Sequence, residues 1–151
     1  MDKKVTDWEV LYSFNLSAVN NRYPVLARLS VSSENNLCVL DLRVFKNDKP
    51  TKTGVCLSPS EFHWLIELIK NRQEGHISGN KKLTMLRVWD GIRITTQKRL
   101  RRNEIQLLVP ELNMLLDFEP KISEMLDAQA NTMGINLKID DKHVTRKNMF
   151  Q

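Results

Sequence analysis

Cationic side chains are the chemistry this chain concentrates. Its 151 residues hold 23 Lys and Arg against 18 Asp and Glu, a formal charge of +5 that would suit many ordinary proteins. The distribution says more. Between His76 and Pro110 the bases Lys81, Lys82, Arg87, Arg93, Lys98, Arg99, Arg101 and Arg102 face only Asp90 and Glu104. The next stretch reverses sign, with Glu111, Asp117, Glu119, Glu124 and Asp127 against Lys121. A basic segment beside an acidic one implies two faces with different partners. The bland alternative is a solvated surface, which is what most charge runs are.

Catalytic chemistry is sparse by comparison. His63 lies within an apolar helical stretch, His76 in a polar loop and His143 in the tail, so no nucleophile and base pair up. P-loop, dinucleotide-glycine and H-E-x-x-H motifs are all missing from the sequence. Asp41, two residues from Arg43 on one strand, reads as a salt-bridge partner rather than a catalytic acid. Cys38 and Cys56 have no metal-ligand spacing and sit in apolar strand-like runs, so two buried thiols are expected. The expectation is a non-enzymatic protein with no cofactor and no metal.

Length allows one compact unit or two very small similar ones. Apolar residues make up 41% and charged residues 27%, while glycine and proline total only 10, which excludes collagen-like, low-complexity or wholly disordered chains. Apolar stretches stop short of the ~18 residues a membrane span needs, and Met1-Asp2-Lys3-Lys4 leads to no signal-peptide pattern. A soluble, intracellular protein is expected, nuclear in a eukaryotic or nuclear-viral setting and cytoplasmic otherwise. The sequon Asn15-Leu16-Ser17 would then be idle.

One order of elements occurs twice. Trp8 to Leu16 looks like a strand, and residues 23–31 and 37–45 read as a hairpin around Ser32-Ser33-Glu34-Asn35-Asn36. Thr53 to Leu57 follows the Asn47-Asp48-Lys49-Pro50 turn. Ser58, Pro59 and Glu61 then form a capping box into a helix whose Phe62, Leu65, Ile66 and Ile69 share a face. Trp64 and Leu68 add apolar surface on a second side, so this helix should pack on more than its own sheet. The second half reads as strands Leu83–Val88, Ile92–Arg99 and Ile105–Val109, with a basic loop to Asn103. Pro110 opens a helix through Leu112, Leu115 and Leu116, which Pro120 should break or kink before Ile122, Met125 and Leu126. Matching Pro59 with Pro110 gives two β-β-β-β-α repeats at 8–72 and 76–130, followed by a polar tail at 131–151 in which Ile135–Ile139 reads as a short strand.

Strand alternation assigns faces. Cys38, Leu40, Leu42 and Val44 should be core, leaving Leu37, Val39, Asp41, Arg43 and Phe45 on the other side. An arginine beside an aromatic suits a surface that holds phosphates and stacks bases. In the second half a three-residue loop, Trp89-Asp90-Gly91, pairs Val88 with Ile92 and Leu86 with Ile94. That register gathers Arg87, Arg93, Thr95, Gln97 and Arg99 on one polar face, with Trp89 exposed at the tip.

The run Val39-Leu40-Asp41-Leu42-Arg43-Val44-Phe45, a polar loop, and Lys52-Thr53-Gly54-Val55-Cys56-Leu57-Ser58-Pro59-Ser60-Glu61-Phe62 resembles the positive cofactor 4 family of transcriptional coactivators. Arg87-Val88-Trp89-Asp90-Gly91-Ile92-Arg93 is similar to that family's aromatic-tipped hairpin, while the Asp-aliphatic-Arg signature is missing from Ile92–Arg99. The first hairpin carries no aromatic, and Lys46 stands where relatives often have a ring.

The resemblance implies an α+β fold of curved antiparallel sheets packed on paired helices, here a covalent pseudo-dimer. It implies binding of single-stranded DNA with low sequence specificity, in transcription or replication. The candidate nucleic-acid-binding residues are Arg28, Arg43, Phe45, Lys46, Lys52, Arg87, Trp89, Arg93, Lys98, Arg99, Arg101 and Arg102, with Trp89 and Phe45 as the stackers. RNA is an alternative ligand, because stacking platforms do not detect a 2′-hydroxyl. A second class of function is an interaction module whose basic sheet or acidic helix docks on transcription or replication machinery. Further self-association is left open.

Overall fold

The computed structural model describes residues 8–17, 22–32, 34, 36–87 and 90–132. Four strands, β1 (Trp8–Asn15), β2 (Val25–Ser32), β3 (Leu37–Lys46) and β4 (Lys49–Leu57), lead into helix α1 (Pro59–Lys70). Four more, β5 (Gly75–Ser78), β6 (Lys81–Met85), β7 (Gly91–Lys98) and β8 (Arg101–Leu108), lead into α2 (Val109–Thr132). Each set forms an antiparallel sheet in chain order. The fold is therefore α+β, with two four-stranded antiparallel sheets and two helices.

Local chemistry explains the punctuation. Asn47 and Asp48 both adopt positive φ, 52° and 65°, the pattern of a two-residue hairpin turn whose twist matches the strands it joins. The turn is so tight that β4 begins at Lys49 and not at Thr53. At α1, Ser58 Oγ accepts from Glu61 N at 3.1 Å and Glu61 Oε1 accepts from Ser58 N at 2.9 Å, completing the expected capping box. Glu111 reaches back in the same way, accepting from Leu108 N at 2.9 Å at the start of α2. The matched anchors of the two halves are thus Glu61 and Glu111, one residue out of step with the proline match.

The helices lie against both sheets. α1 contacts α2, β3, β4 and β5, while α2 contacts β2, β3, β7 and β8, and β4 runs beside β8. One cluster of buried side chains results, in which Leu29, Leu40, Leu42 and Leu57 of the first sheet meet Leu83, Ile94, Ile105 and Leu107 of the second around Phe62, Leu65, Leu115, Ile122 and Leu126. Trp64 and Leu68 pack at its margin, as the second apolar side of α1 requires. Each capping glutamate also ties its helix to the other half. Glu61 Oε2 accepts from Lys81 Nζ of β6 at 3.0 Å, and Glu111 Oε2 accepts from Ser17 Oγ, after β1, at 3.0 Å.

Several expectations need correction. α2 runs unbroken through Pro120. An interior proline costs ~3 kcal/mol, which the burial of Ile122, Leu126 and Ala130 beyond it offsets. β7 pairs Ile92 with Met85 and Ile94 with Leu83, not with Val88 and Leu86. This register buries Leu83 completely and leaves a wider loop, closed by Leu86 N on Gly91 O at 3.0 Å and Asp90 N on Arg87 O at 2.7 Å. His76 belongs to β5, not a loop, and Arg101 to Asn103 open β8. Cys38 is buried but Cys56 is exposed. Asn131 and Thr132 end α2, and the expected strand at 135–139 lies outside the described residues. No described helix is long and apolar enough to cross a membrane.

Because both sheets share one core, Phe62→Ala should cost about 3–5 kcal/mol and shift a single urea transition of the whole molecule. Circular dichroism and tryptophan fluorescence should report the same midpoint; separate midpoints would mean that the halves unfold independently.

Candidate nucleic-acid interface

With the helices on one side, each sheet keeps one free face, and the strand registers give its composition. Directly opposed residues on neighbouring antiparallel strands share a face. Across the first sheet the outer rows are Trp8–Ser32–Leu37, Val10–Ser30–Val39, Ser13–Arg28–Asp41–Cys56 and Asn15–Leu26–Arg43–Gly54. An apolar end therefore adjoins a charged end. Trp8, Val10 and Leu37 are 42%, 44% and 47% exposed, while Ser30 and Ser32 are buried in the trough between their rows.

The charged end is a network centred on Asp41, complete around the carboxylate although the shielded Nε of Arg28 makes no hydrogen bond. Asp41, with only 7% of its side chain exposed, accepts from Arg28 Nη2 at 2.6 Å and from Arg43 Nη2 at 2.8 Å and Nε at 3.0 Å. Arg43 Nη1 also donates to Thr51 O at 3.1 Å. Cys56 Sγ donates to Asp41 Oδ1 at 3.3 Å, which explains why that thiol faces the cluster and not the core. Desolvation and the neighbouring carboxylate push it up to about 11, so the thiol stays a donor. Gly54 makes room for the arrangement. A Cβ there would lie 2.5 Å from Leu42 O and 2.8 Å from Arg43 Cζ, so only glycine lets the guanidinium lie flat over β4. The arginine stacked on Phe45 is Arg28, its Cζ 5.0 Å from the ring centre.

Arg28 and Arg43 are thus committed to Asp41, and the first sheet offers fewer free cations than its sequence suggests. Lys46 and Lys52 are exposed. Lys46 lines a shallow recess with Asn15, Arg22, Tyr23, Pro24, Asn47 and Asp48. Neither Arg22 nor Trp8 stands out in the sequence pattern, where Trp8 only begins a strand. Their signals, an exposed aromatic on the free face and a cation at its rim, emerge only once the strands are paired.

On the second sheet the outer rows are Gln97–Arg102, His76–Lys82–Thr95–Glu104, Thr84–Arg93–Gln106 and Gly91–Leu108. Arg93, Thr95 and Gln97 share the face as expected. Arg87 and Arg99 do not, because they sit in loops at opposite ends of β7, about 25 Å apart at ~3.3 Å per residue. A recess lined by Met85, Leu86, Arg87, Asp90, Arg93 and Leu108 joins Arg87 to Arg93. At the far end, Lys98, Arg99, Arg101 and Arg102 crowd the β7–β8 hairpin around Leu100, which is wholly exposed. Among the described residues only Glu104 pairs with any of these four, at 3.5 Å from Arg102 Nη2. Trp89, the expected stacking ring, lies outside the described residues.

Chemically, the free faces offer a neutralised clamp and an apolar aromatic patch, beside a cationic hairpin that Glu104 alone among the described residues offsets. Among the described residues no three His, Cys, Asp or Glu side chains converge to hold a metal. His63 Nε2 approaches Asp127 Oδ1 at 3.6 Å on the helix side, away from both faces. Compared with protein families, curated proteins and solved structures, the chain matches none.

Burial pushes the Asp41 carboxyl up, but hydrogen bonds from Arg43 and Arg28 outweigh it and hold the group below the usual carboxylate range. Its charge therefore stabilises the fold fully above the unfolded-state value near 3.9, and that contribution is lost as pH falls through the lower folded-state value. Asp41→Asn should cost roughly 3 kcal/mol at neutral pH. It should also flatten the fall in urea midpoint between about pH 5 and pH 2 relative to the parent. Equal pH profiles for the two proteins would contradict the clamp.

Proposed function

We propose that this chain is a non-enzymatic, single-stranded DNA-binding protein of low sequence specificity, an accessory factor of transcription or replication, working as an intramolecular pseudo-dimer. The observation that carries the reading is the β7–β8 hairpin. Lys98, Arg99, Arg101 and Arg102 repel one another there, and among the described residues Glu104 is the one carboxylate that pairs with any of them, an arrangement an anionic polymer would relieve. Support also comes from the resemblance of residues 39–62 to positive cofactor 4 and from the two sheet-then-helix units in one chain.

In this reading, phosphates lie on Lys98, Arg99, Arg101, Arg102, Arg93 and Arg87, with Lys46 and Lys52 serving the first sheet. Bases stack on Trp8, at the rim of the first sheet, and on Trp89. Stacking tolerates every base, so sequence preference should be weak. Phosphate contacts carry no sequence information directly, which points the same way.

The test is fluorescence anisotropy with labelled oligo-dT, a duplex and an RNA of equal length at two salt concentrations. Oligo-dT should bind tightest, with a log–log salt slope of about −0.7 per phosphate contact. Replacing Arg99 and Arg101 by Ala together should make that slope shallower by about 1.4. Trp8→Ala should weaken binding about tenfold, as befits ~1–3 kcal/mol per stacked base. Lack of binding to oligo-dT at low salt would overturn the proposal in favour of a protein-docking role for the basic sheet or for the acidic surface of α2. Tighter binding of the RNA would instead make RNA the ligand.

A further inference from the structure

Among the described residues two carboxylates, Asp41 and Glu104, stand in the outer rows of the sheets, and they are held in opposite ways. Counting back from the capping glutamates, Leu57 pairs with Leu40 as Leu107 pairs with Ile92, so Asp41 and Arg93 hold matched positions, as do Gly54 and Glu104. The second sheet thus inverts the first, with the cation at the centre and the carboxylate on the outermost strand. Asp41 is nearly enclosed, with bonds of 2.6 to 3.1 Å. Glu104 is 39% exposed and lies 3.4 Å from Arg93 Nε and 3.5 Å from Arg102 Nη2.

Those distances are longer than the ~2.7–2.9 Å of a charge-assisted hydrogen bond. Arg93 Nε, though shielded from solvent, makes no hydrogen bond, and neither does the shielded Oγ1 of Thr84 directly across from it. A shielded donor without an acceptor carries an uncompensated desolvation cost. An exposed ion pair of this kind contributes only ~0–1 kcal/mol. Little therefore holds Glu104 in place, and what it covers is an unsatisfied donor.

Building on the single-strand reading above, we propose that Glu104 is an internal competitor for the phosphate backbone. In the free protein its carboxylate stands over Arg93 and Arg102. A phosphodiester of the bound strand displaces it, accepting from Arg93 Nε and Arg102 and taking the Thr84 hydroxyl as a further donor. The second sheet is the exchangeable anion site, and the first sheet's Asp41 clamp is structural. Glu104 then keeps affinity below what the bare cations would give, so that the strand can be released.

Glu104→Gln removes the charge and keeps the shape. At moderate salt it should tighten oligo-dT binding about five- to tenfold and steepen the log–log salt slope by about 0.7 to 1.4, one to two additional phosphate contacts. Glu124→Gln, which makes the same charge change on α2 beside Lys121, should move the affinity less than about twofold. Adding Arg93→Ala to Glu104→Gln should abolish most of the gain. If the parent binds oligo-dT and Glu104→Gln binds no tighter than Glu124→Gln, the competitor role is wrong while the binding function stands. If neither the parent nor Glu104→Gln binds at low salt, both the function and the competitor role are overturned.

Discussion

Burial of both sheets beneath one pair of helices is the constraint from which the remaining features follow. Leu40 and Leu42 on one sheet, and Ile94 and Ile105 on the other, are buried in one cluster with Phe62, Leu65, Leu115 and Ile122 of the helices. Once that side is committed, alternation leaves a single free face on each sheet, and Asp41, Arg43, Arg93, Arg102 and Glu104 must be accommodated there. Asp41 illustrates the cost. Placed on a strand whose other side is fully buried, it has no route to bulk water past its neighbours, and Arg28, Arg43 and Cys56 supply what solvent would have given.

The capping glutamates extend the same logic to the helices. One oxygen of each satisfies the exposed backbone N–H at its helix start, a local requirement of any helix. The second oxygen of Glu61 meets Lys81, and that of Glu111 meets Ser17, whose Oγ in turn accepts from Val25 N at 2.9 Å. Burial pushes the Glu61 carboxyl up, but the Ser58 backbone and Lys81 outweigh it and hold the group low. It remains charged and bridging at neutral pH. Each half therefore supplies a partner to the cap of the other's helix.

Features with a local or strictly periodic cause were legible in the sequence. The capping box follows from Ser58 and Glu61, and the faces of β3 from uninterrupted alternation between Leu37 and Val44. The register of β6 against β7 was not legible, because Leu83, Met85, Leu86 and Val88 offer apolar residues in both parities and pattern alone cannot count the loop. The choice falls to Leu83, which can be buried completely. β5 escaped notice because Gly75-His76-Ile77-Ser78 holds one apolar residue, too few for a period. The role of Arg28 depends on its standing opposite Asp41 across a hairpin, and that of Trp8 on its standing across from Ser32. Neither relation exists until the strands are paired. Pro120 misled for the converse reason: propensity argued for a break, and the core beyond it prevailed.

The sign inversion between Asp41 and Arg93 has a consequence for any ligand whose two ends differ. A pair of identical sheets related by a two-fold axis would offer a polar chain the same surroundings whichever way it ran. Here one sheet shows a sealed acid between arginines and the other an open arginine beneath an acid, so the two directions of travel are physically distinct. Because the halves belong to one polypeptide they need not be alike, and under the single-strand reading proposed above that unlikeness gives a means of telling 5′ from 3′.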